Sequence, residues 1–156
     1  MGIALLFLLA SIGLAFTNKE IKQMLLSEHS VAGQLHLLGL NPVSTIILLI
    51  TALIKTSLSE EILFRGFIAK RAINRWGFGP GNLLQALLFG LIHLLLFWLI
   101  AKTPILPCVF IFTFSSLAAW LIGHNMIRNG NGSIIPGWIS HGAGNALAYF
   151  MLAFVI

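Results

Sequence analysis

The chain has 156 residues, 58% hydrophobic and 8% charged, with nine Lys and Arg against four Asp and Glu. One domain is the expectation for that length, and a mean hydropathy of +0.99 excludes an ordinary soluble domain and indicates an integral membrane protein. A net charge of +5 would suit nucleic acid, but the basic residues are scattered over short connecting segments with no aromatic-interleaved stripe, so anionic lipid headgroups are the expected partner and nucleic acid is not.

In chain order, Met1 to Phe16 is apolar but short for a span of about 20 residues. Met1-Gly2-Ile3 supplies no positive charge, so a retained helix is expected rather than a signal peptide. Residues 17–41 mix Lys19, Glu20, Lys22, Glu28, His29 and His36 with Ile21, Met24 and Leu25, the pattern of an amphipathic segment at the interface. Pro42 opens a long apolar run that takes in a charged turn and is expected to end near Lys70 to Asn74, before the breaker Gly77-Phe78-Gly79-Pro80-Gly81. Leu83 to Ala101 and Ile105 to Gly123 read as spans separated by Lys102 and Pro104. The lone Cys108 in the second of these excludes an internal disulfide framework or a multi-cysteine metal site, and its apolar setting predicts packing. Asn129-Gly130-Asn131-Gly132 reads as a turn, Ser133 as an N-cap, and Pro136 as a first-turn residue of a final helix running to Ile156. Trp98, Trp120 and Trp138 fall near span ends, where amphipathic rings prefer to sit. The expected fold is all-α: one transmembrane domain over residues 1–156, a polytopic helix bundle with about five spans and an interfacial amphipathic segment.

Lys70, Arg71 and Arg75 share a side with Arg128, because two spans lie between them, and together they outweigh Lys19, Lys22 and Lys102. That places the two loops in the cytoplasm. The protein is therefore expected in the plasma or inner membrane, multi-pass, with any site near those loops opening toward the cytoplasmic side.

The charged turn Ser59-Glu60-Glu61-Ile62-Leu63-Phe64-Arg65-Gly66 holds two of the four acidic residues of the chain. A charge at the centre of a bilayer helix costs roughly 2.5–3.5 kcal/mol on insertion scales, so charges kept there are candidates for function. Glu61 and Arg65 are four residues apart and can pair, while Glu60 points away from that pair and is the one available for chemistry. The bland reading of the trio is an ion-pair cluster snorkelling to the interface; Glu60 and its depth argue against it. Counting about 1.5 Å per residue, Glu60 lies roughly 15 Å before Lys70, His93 roughly 17 Å after Gly81, and His141 roughly 12 Å after Ser133. Three ionisable groups on three helices thus reach one layer. Alone, His93 reads as an interhelical hydrogen-bond partner, and His141 with Asn145 as polar glue beside Gly142, Ala143 and Gly144; together with Glu60 they read as a site. His29, His36 and His124 lie in connecting segments and receive no role.

Glu60-Glu61-x-x-x-Arg65, Phe89-x-x-x-His93 and His141-x-x-x-Asn145, in this order on successive hydrophobic segments, resemble the three motifs of the CPBP family of intramembrane proteases, also called Abi, which includes the CAAX prenyl proteases. The resemblance covers residues 38–156, including Leu38-Gly39-Leu40 and Gly132-Ser133-Ile134-Ile135-Pro136. Each motif alone is common, whereas the ordered set is specific. The resemblance implies hydrolysis of a peptide bond in a membrane-associated or C-terminal peptide substrate. Glu60 would act as general base on water with help from His93, and His141 and Asn145 would face the developing oxyanion. Glu61 and Arg65, with Phe89, would hold the first carboxylate in register. Zinc is compatible with the same residues, since Glu60, His93 and His141 supply the two-His, one-carboxylate set of a catalytic site; a metal-free glutamate mechanism is the other option. Two further classes compete: a non-catalytic scaffold or bacteriocin-immunity protein of the same fold, which intact motifs disfavour, and a proton-relay transporter, for which no inverted repeat is visible.

Overall fold

The computed structural model describes residues 22–23, 25–28, 30–100 and 102–155, all helix or connection with no strand among them. The expected helix over Met1 to Phe16 and the residues Lys19, Glu20, Ile21, Met24 and His29 lie outside the described residues. The chain divides into two compact units: a flanking unit of Met1–Leu58 with Ile139–Ile156, and a central unit of Ser59–Trp138.

In the flanking unit, α1 (Val31–Leu38) begins at Ser30, whose hydroxyl accepts from the Gly33 amide, and ends at Gly39 in the left-handed region, φ 68°. Its Ala32 and Leu35 are buried with Leu48, Leu152 and Ala153, and His36 Nδ1 sits 2.7 Å from the Ala153 carbonyl. Part of the expected interfacial segment is thus a short helix with one face packed. Asn41 then caps α2 (Pro42–Leu49): its side chain accepts from the Val43 and Ser44 amides while Ser44 Oγ accepts from the Asn41 amide, a reciprocal capping box with Pro42 at the start. The run continues as a π-helical segment, Ile50–Leu58. Most of α6 (Ile135–Phe154) completes this unit.

The central unit opens on Ser59 and Glu60, followed by a second π-helical segment, Glu61–Ala69, and α3 (Lys70–Trp76). A regular α-helix was the expectation for this run; i→i+5 bonding widens it, a feature common near functional sites and invisible to composition. Gly77, with φ 81°, ends α3, and α4 (Phe78–Leu95) starts at once. The breaker is therefore a single residue wide, and the helix expected from Leu83 begins at Phe78. Pro80 is accommodated because it falls in the first turn, where its missing N–H has no intrahelical partner to lose. Gly81 lets the two helices close: a Cβ there would collide with the Ile73 amide and the Ala72 carbonyl carbon.

The helix α4 continues through a π turn (Leu96–Ile100), and α5 (Ile105–Arg128) returns beside it. Phe78–Ile100 and Ile105–Arg128, 23 and 24 residues, are long and apolar enough to cross a membrane, matching two of the expected spans with longer bounds. Small and polar residues join them, as expected between membrane helices. Asn82 Nδ2 donates to the Trp120 carbonyl at 2.9 Å, and Gln85 Nε2 donates to the Ala119 carbonyl at 3.0 Å and to Asn82 Oδ1 at 2.9 Å. Gly90 faces Ser116 and Phe112, and Gly123 faces Asn82, so closely that a Cβ at either would collide. Phe64, Ala86, Phe89 and Ala119 form the apolar core of this unit. Cys108 is fully buried, as its apolar context predicts.

Candidate active site

The second π-helical segment and α4 assemble the charged part of the site. Glu61 Oε1 and Arg65 Nη1 are 3.2 Å apart with both side chains fully buried, so the pair expected from the i, i+4 spacing forms. The Arg65 guanidinium also lies 4.6 Å from the centre of the Phe89 ring, a cation–π contact that offsets part of its lost hydration. Phe64 meets the same ring edge-on at 4.8 Å. Phe89 is thus gripped from two sides by residues adjacent in sequence, which fixes α4 against the segment that carries the carboxylates.

Four residues along α4, His93 Nδ1 is 2.8 Å from the Phe89 carbonyl, and the two rings lie 4.4 Å apart. A carbonyl only accepts, so Nδ1 carries the proton and donates, and the Nε2 lone pair is left to take a proton or bind an electrophile. Direct contacts therefore run Glu61–Arg65–Phe89–His93 within the central unit. Glu60 is half-buried at the junction that precedes the second π-helical segment, one residue before Glu61.

The other oxygen of Glu61 faces the start of α6. A Cβ built on Gly137 would lie 2.8 Å from Glu61 Oε2 and 2.7 Å from Ile122 Cγ2. Only glycine leaves room there for the buried carboxylate. Ser133, expected as the N-cap, stands one residue before the capping position: the Ile134 carbonyl accepts from the Trp138 amide at 2.8 Å, and the Ser133 hydroxyl accepts from the Ile135 amide at 3.3 Å.

His141 and Asn145 belong to the flanking unit, one turn apart on α6 and both half-buried. Asn145 Nδ2 donates to Ser57 Oγ at 3.0 Å, and Ser57 is fully buried. Gly142 allows this approach, since a Cβ there would lie 2.6 Å from Leu53 Cδ2 and 3.7 Å from Ser57 Cβ. The contact fixes one amide N–H of Asn145 and leaves the second for another acceptor. Ser57, which bonds Asn145, and Gly137, which crowds Glu61, are partners of the motif residues that sequence reasoning did not single out. A serine three residues before Glu60 in an apolar run is a weak but real signal for the first, and nothing in sequence marks the second. Among the described residues, no group of three or more His, Cys, Asp or Glu side chains is placed to hold a metal ion.

The family model described as type II CAAX prenyl endopeptidase Rce1-like matches residues 42–147, more than half of the chain, and the chain belongs to that family. No curated protein and no solved structure matches it. The family is one of membrane-embedded proteases, in agreement with the resemblance carried by the three motifs. The matched range opens at Pro42 and closes two residues beyond Asn145, so it contains Glu60, Glu61, Arg65, Phe89, His93, His141 and Asn145.

Proposed function

We propose that this chain is an intramembrane endopeptidase in which Glu60 and His93 activate water and His141 and Asn145 stabilise the tetrahedral intermediate. The observation that carries the reading is the 2.8 Å contact of His93 Nδ1 with the Phe89 carbonyl: a carbonyl only accepts, so Nδ1 donates and Nε2 is the basic nitrogen. In the proposed step, a water oxygen attacks the scissile carbonyl carbon as its proton passes to the Glu60 carboxylate, with His93 Nε2 accepting a hydrogen bond from the same water. General-base assistance of this kind is worth about 10²–10⁴ in rate. The carbonyl π electrons move to oxygen, and the oxyanion is met by His141 and by the Asn145 N–H that Ser57 does not occupy, each such donor being worth about 10²–10³. The proton held by Glu60 then goes to the leaving nitrogen, the C–N bond breaks as the oxyanion collapses, and the carboxylic acid and amine so formed leave as carboxylate and ammonium once the acid's proton passes to the amine.

Glu61, Arg65 and Phe89 act as positioning residues, keeping the carboxylate segment and α4 in register. The wider proposal is a single domain of about five spans, in which the helical run from Pro42 and the helix α6 also cross the bilayer. The cytoplasmic loops would carry Lys70, Arg71, Arg75 and Arg128, with the site opening toward them. The substrate is a membrane-associated peptide, and the family description makes a prenylated C-terminal sequence the first one to try. The test is release of the C-terminal tripeptide from a farnesylated Cys-aliphatic-aliphatic-X peptide by purified protein in proteoliposomes. Wild type should release it, and Glu60→Gln, at equal folded amounts, should not; equal release by both would remove Glu60 from the mechanism.

A further inference from the structure

Away from the candidate site, charge of one sign collects at one end of the central unit. All four acidic residues of the chain, Glu20, Glu28, Glu60 and Glu61, precede Ile62, so no carboxylate side chain in the following 94 residues can neutralise a cation. Lys70, Arg71, Arg75 and Arg128 are all exposed. Arg75 stands in the last turn of α3, three residues before Phe78. Arg128, the last residue of α5, lies with its guanidinium 5.2 Å from the Phe78 ring centre. The end of α5 and the start of α4 therefore meet, and the end of α3 is joined to them through Gly77.

The aromatic residues at this end are placed as supports for the cations. Arg71 lies 3.6 Å over the Phe67 ring and Arg75 5.6 Å from that of Trp76. His124 is stacked 5.4 Å from Trp120 and meets Phe78 at 5.7 Å. A guanidinium held beside a ring by cation–π attraction keeps N–H donors that can fork onto a phosphate. Depth fits the same partner. The two candidate spans, Phe78–Ile100 and Ile105–Arg128, are each about 35 Å long at 1.5 Å per residue, enough to cross the hydrocarbon, so their shared Phe78/Arg128 end falls at headgroup level. Lys102 is the single basic residue between their other ends.

We infer that this end is a binding surface for anionic phospholipid headgroups, with Arg75 and Arg128 holding the lipid phosphate and Lys70 and Arg71 supplying attraction from α3. Trp76, 53% exposed, supplies an amphipathic ring at the same level. Each basic residue near an anionic surface favours association by about fivefold. Loss of two should therefore lower the preference for anionic over zwitterionic lipid by an order of magnitude or more. The inference stands apart from the catalytic assignment, since none of these residues belongs to the proposed machinery.

The test uses the full chain purified in mild detergent and offered equal amounts of phosphatidylglycerol and phosphatidylcholine with identical acyl chains, with retained lipid counted by native mass spectrometry. Wild type is expected to retain phosphatidylglycerol in excess. The double variant Arg75→Gln/Arg128→Gln should lose most of that preference, and Lys102→Gln should keep it. The preference of the wild type should also fall as salt rises from about 0.05 to about 0.5 M, where the screening length shrinks severalfold; this measurement holds even if the double variant does not fold. Equal retention of the two lipids, a salt-independent preference, an undiminished preference in the folded double variant, or full displacement of the lipid by soluble glycerol phosphate would each overturn the inference, the last by assigning the surface to free phosphate.

Discussion

Arg65→Met and Glu61→Gln test whether the buried pair is the structural hinge of the site. Both side chains are 0% exposed and their charged atoms are 3.2 Å apart. At an effective dielectric of about 20, unit charges at that separation attract by about 5 kcal/mol, much of it offset by the hydration both ions have lost. The intact pair thus contributes little net stability, whereas removing one member strips a fully buried charge of its nearest ion-pair partner and costs about 3–5 kcal/mol. Methionine keeps an unbranched stem and a sulfur against the Phe89 ring, so the Arg65→Met loss reports charge rather than packing. Glutamine keeps an oxygen facing Gly137. Each single variant should lose about 3–5 kcal/mol in a reversible sodium dodecyl sulfate titration followed by tryptophan fluorescence. The double variant should lose well under the roughly 6–10 kcal/mol sum, because neither charge remains to be stranded. Single losses below about 1 kcal/mol, the value of an exposed pair, or strictly additive losses would refute the reasoning.

Three other outcomes follow from the contacts. Ser57→Ala removes the acceptor that fixes Asn145, and should lower kcat by about tenfold or more with KM nearly unmoved, since an oxyanion donor acts mainly in the transition state; an equal rise in KM would contradict that role. Gly137→Ala would place a methyl against Glu61 Oε2 and Ile122 Cγ2, and should cost about 1–3 kcal/mol as overpacking, measured in the same unfolding titration. Exhaustive dialysis against a chelator separates the two options for the water-activating step: turnover that survives it supports the metal-free glutamate mechanism, and loss restored by Zn²⁺ alone assigns a metal to Glu60, His93 and His141.

Much of this was legible in the sequence because it is local. The Glu61/Arg65 pair and the Phe89/His93 contact are i, i+4 relations that any helix would produce. The Asn129-to-Gly132 turn announces itself through Asn131 and Gly132, both at positive φ. What escaped depends on neighbours distant in the chain. Ser57 gains meaning only when Asn145, 88 residues on, bonds to it. Gly137 matters because Glu61 and Ile122 crowd its missing side chain. The clasp of Asn82 and Gln85 on the Trp120 and Ala119 carbonyls could be read as polar residues within a span, but not as bonded to those particular carbonyls. The π-helical widening on either side of Ser59 and Glu60 reflects a choice between i→i+4 and i→i+5 bonding that residue composition does not decide. The helix α4 starts at Phe78 rather than Leu83 because Pro80 falls in its first turn, where proline starts a helix instead of breaking it.

Glu60 is the proposed general base of this membrane protease. The most direct test of that role compares the protein termini of membranes from cells expressing wild type with those from cells expressing Glu60→Gln at matched, folded levels. New termini that appear with the wild type alone are the predicted result, and they would name the substrate class as well. Identical termini in the two membranes would contradict the account and leave a binding role for the same fold.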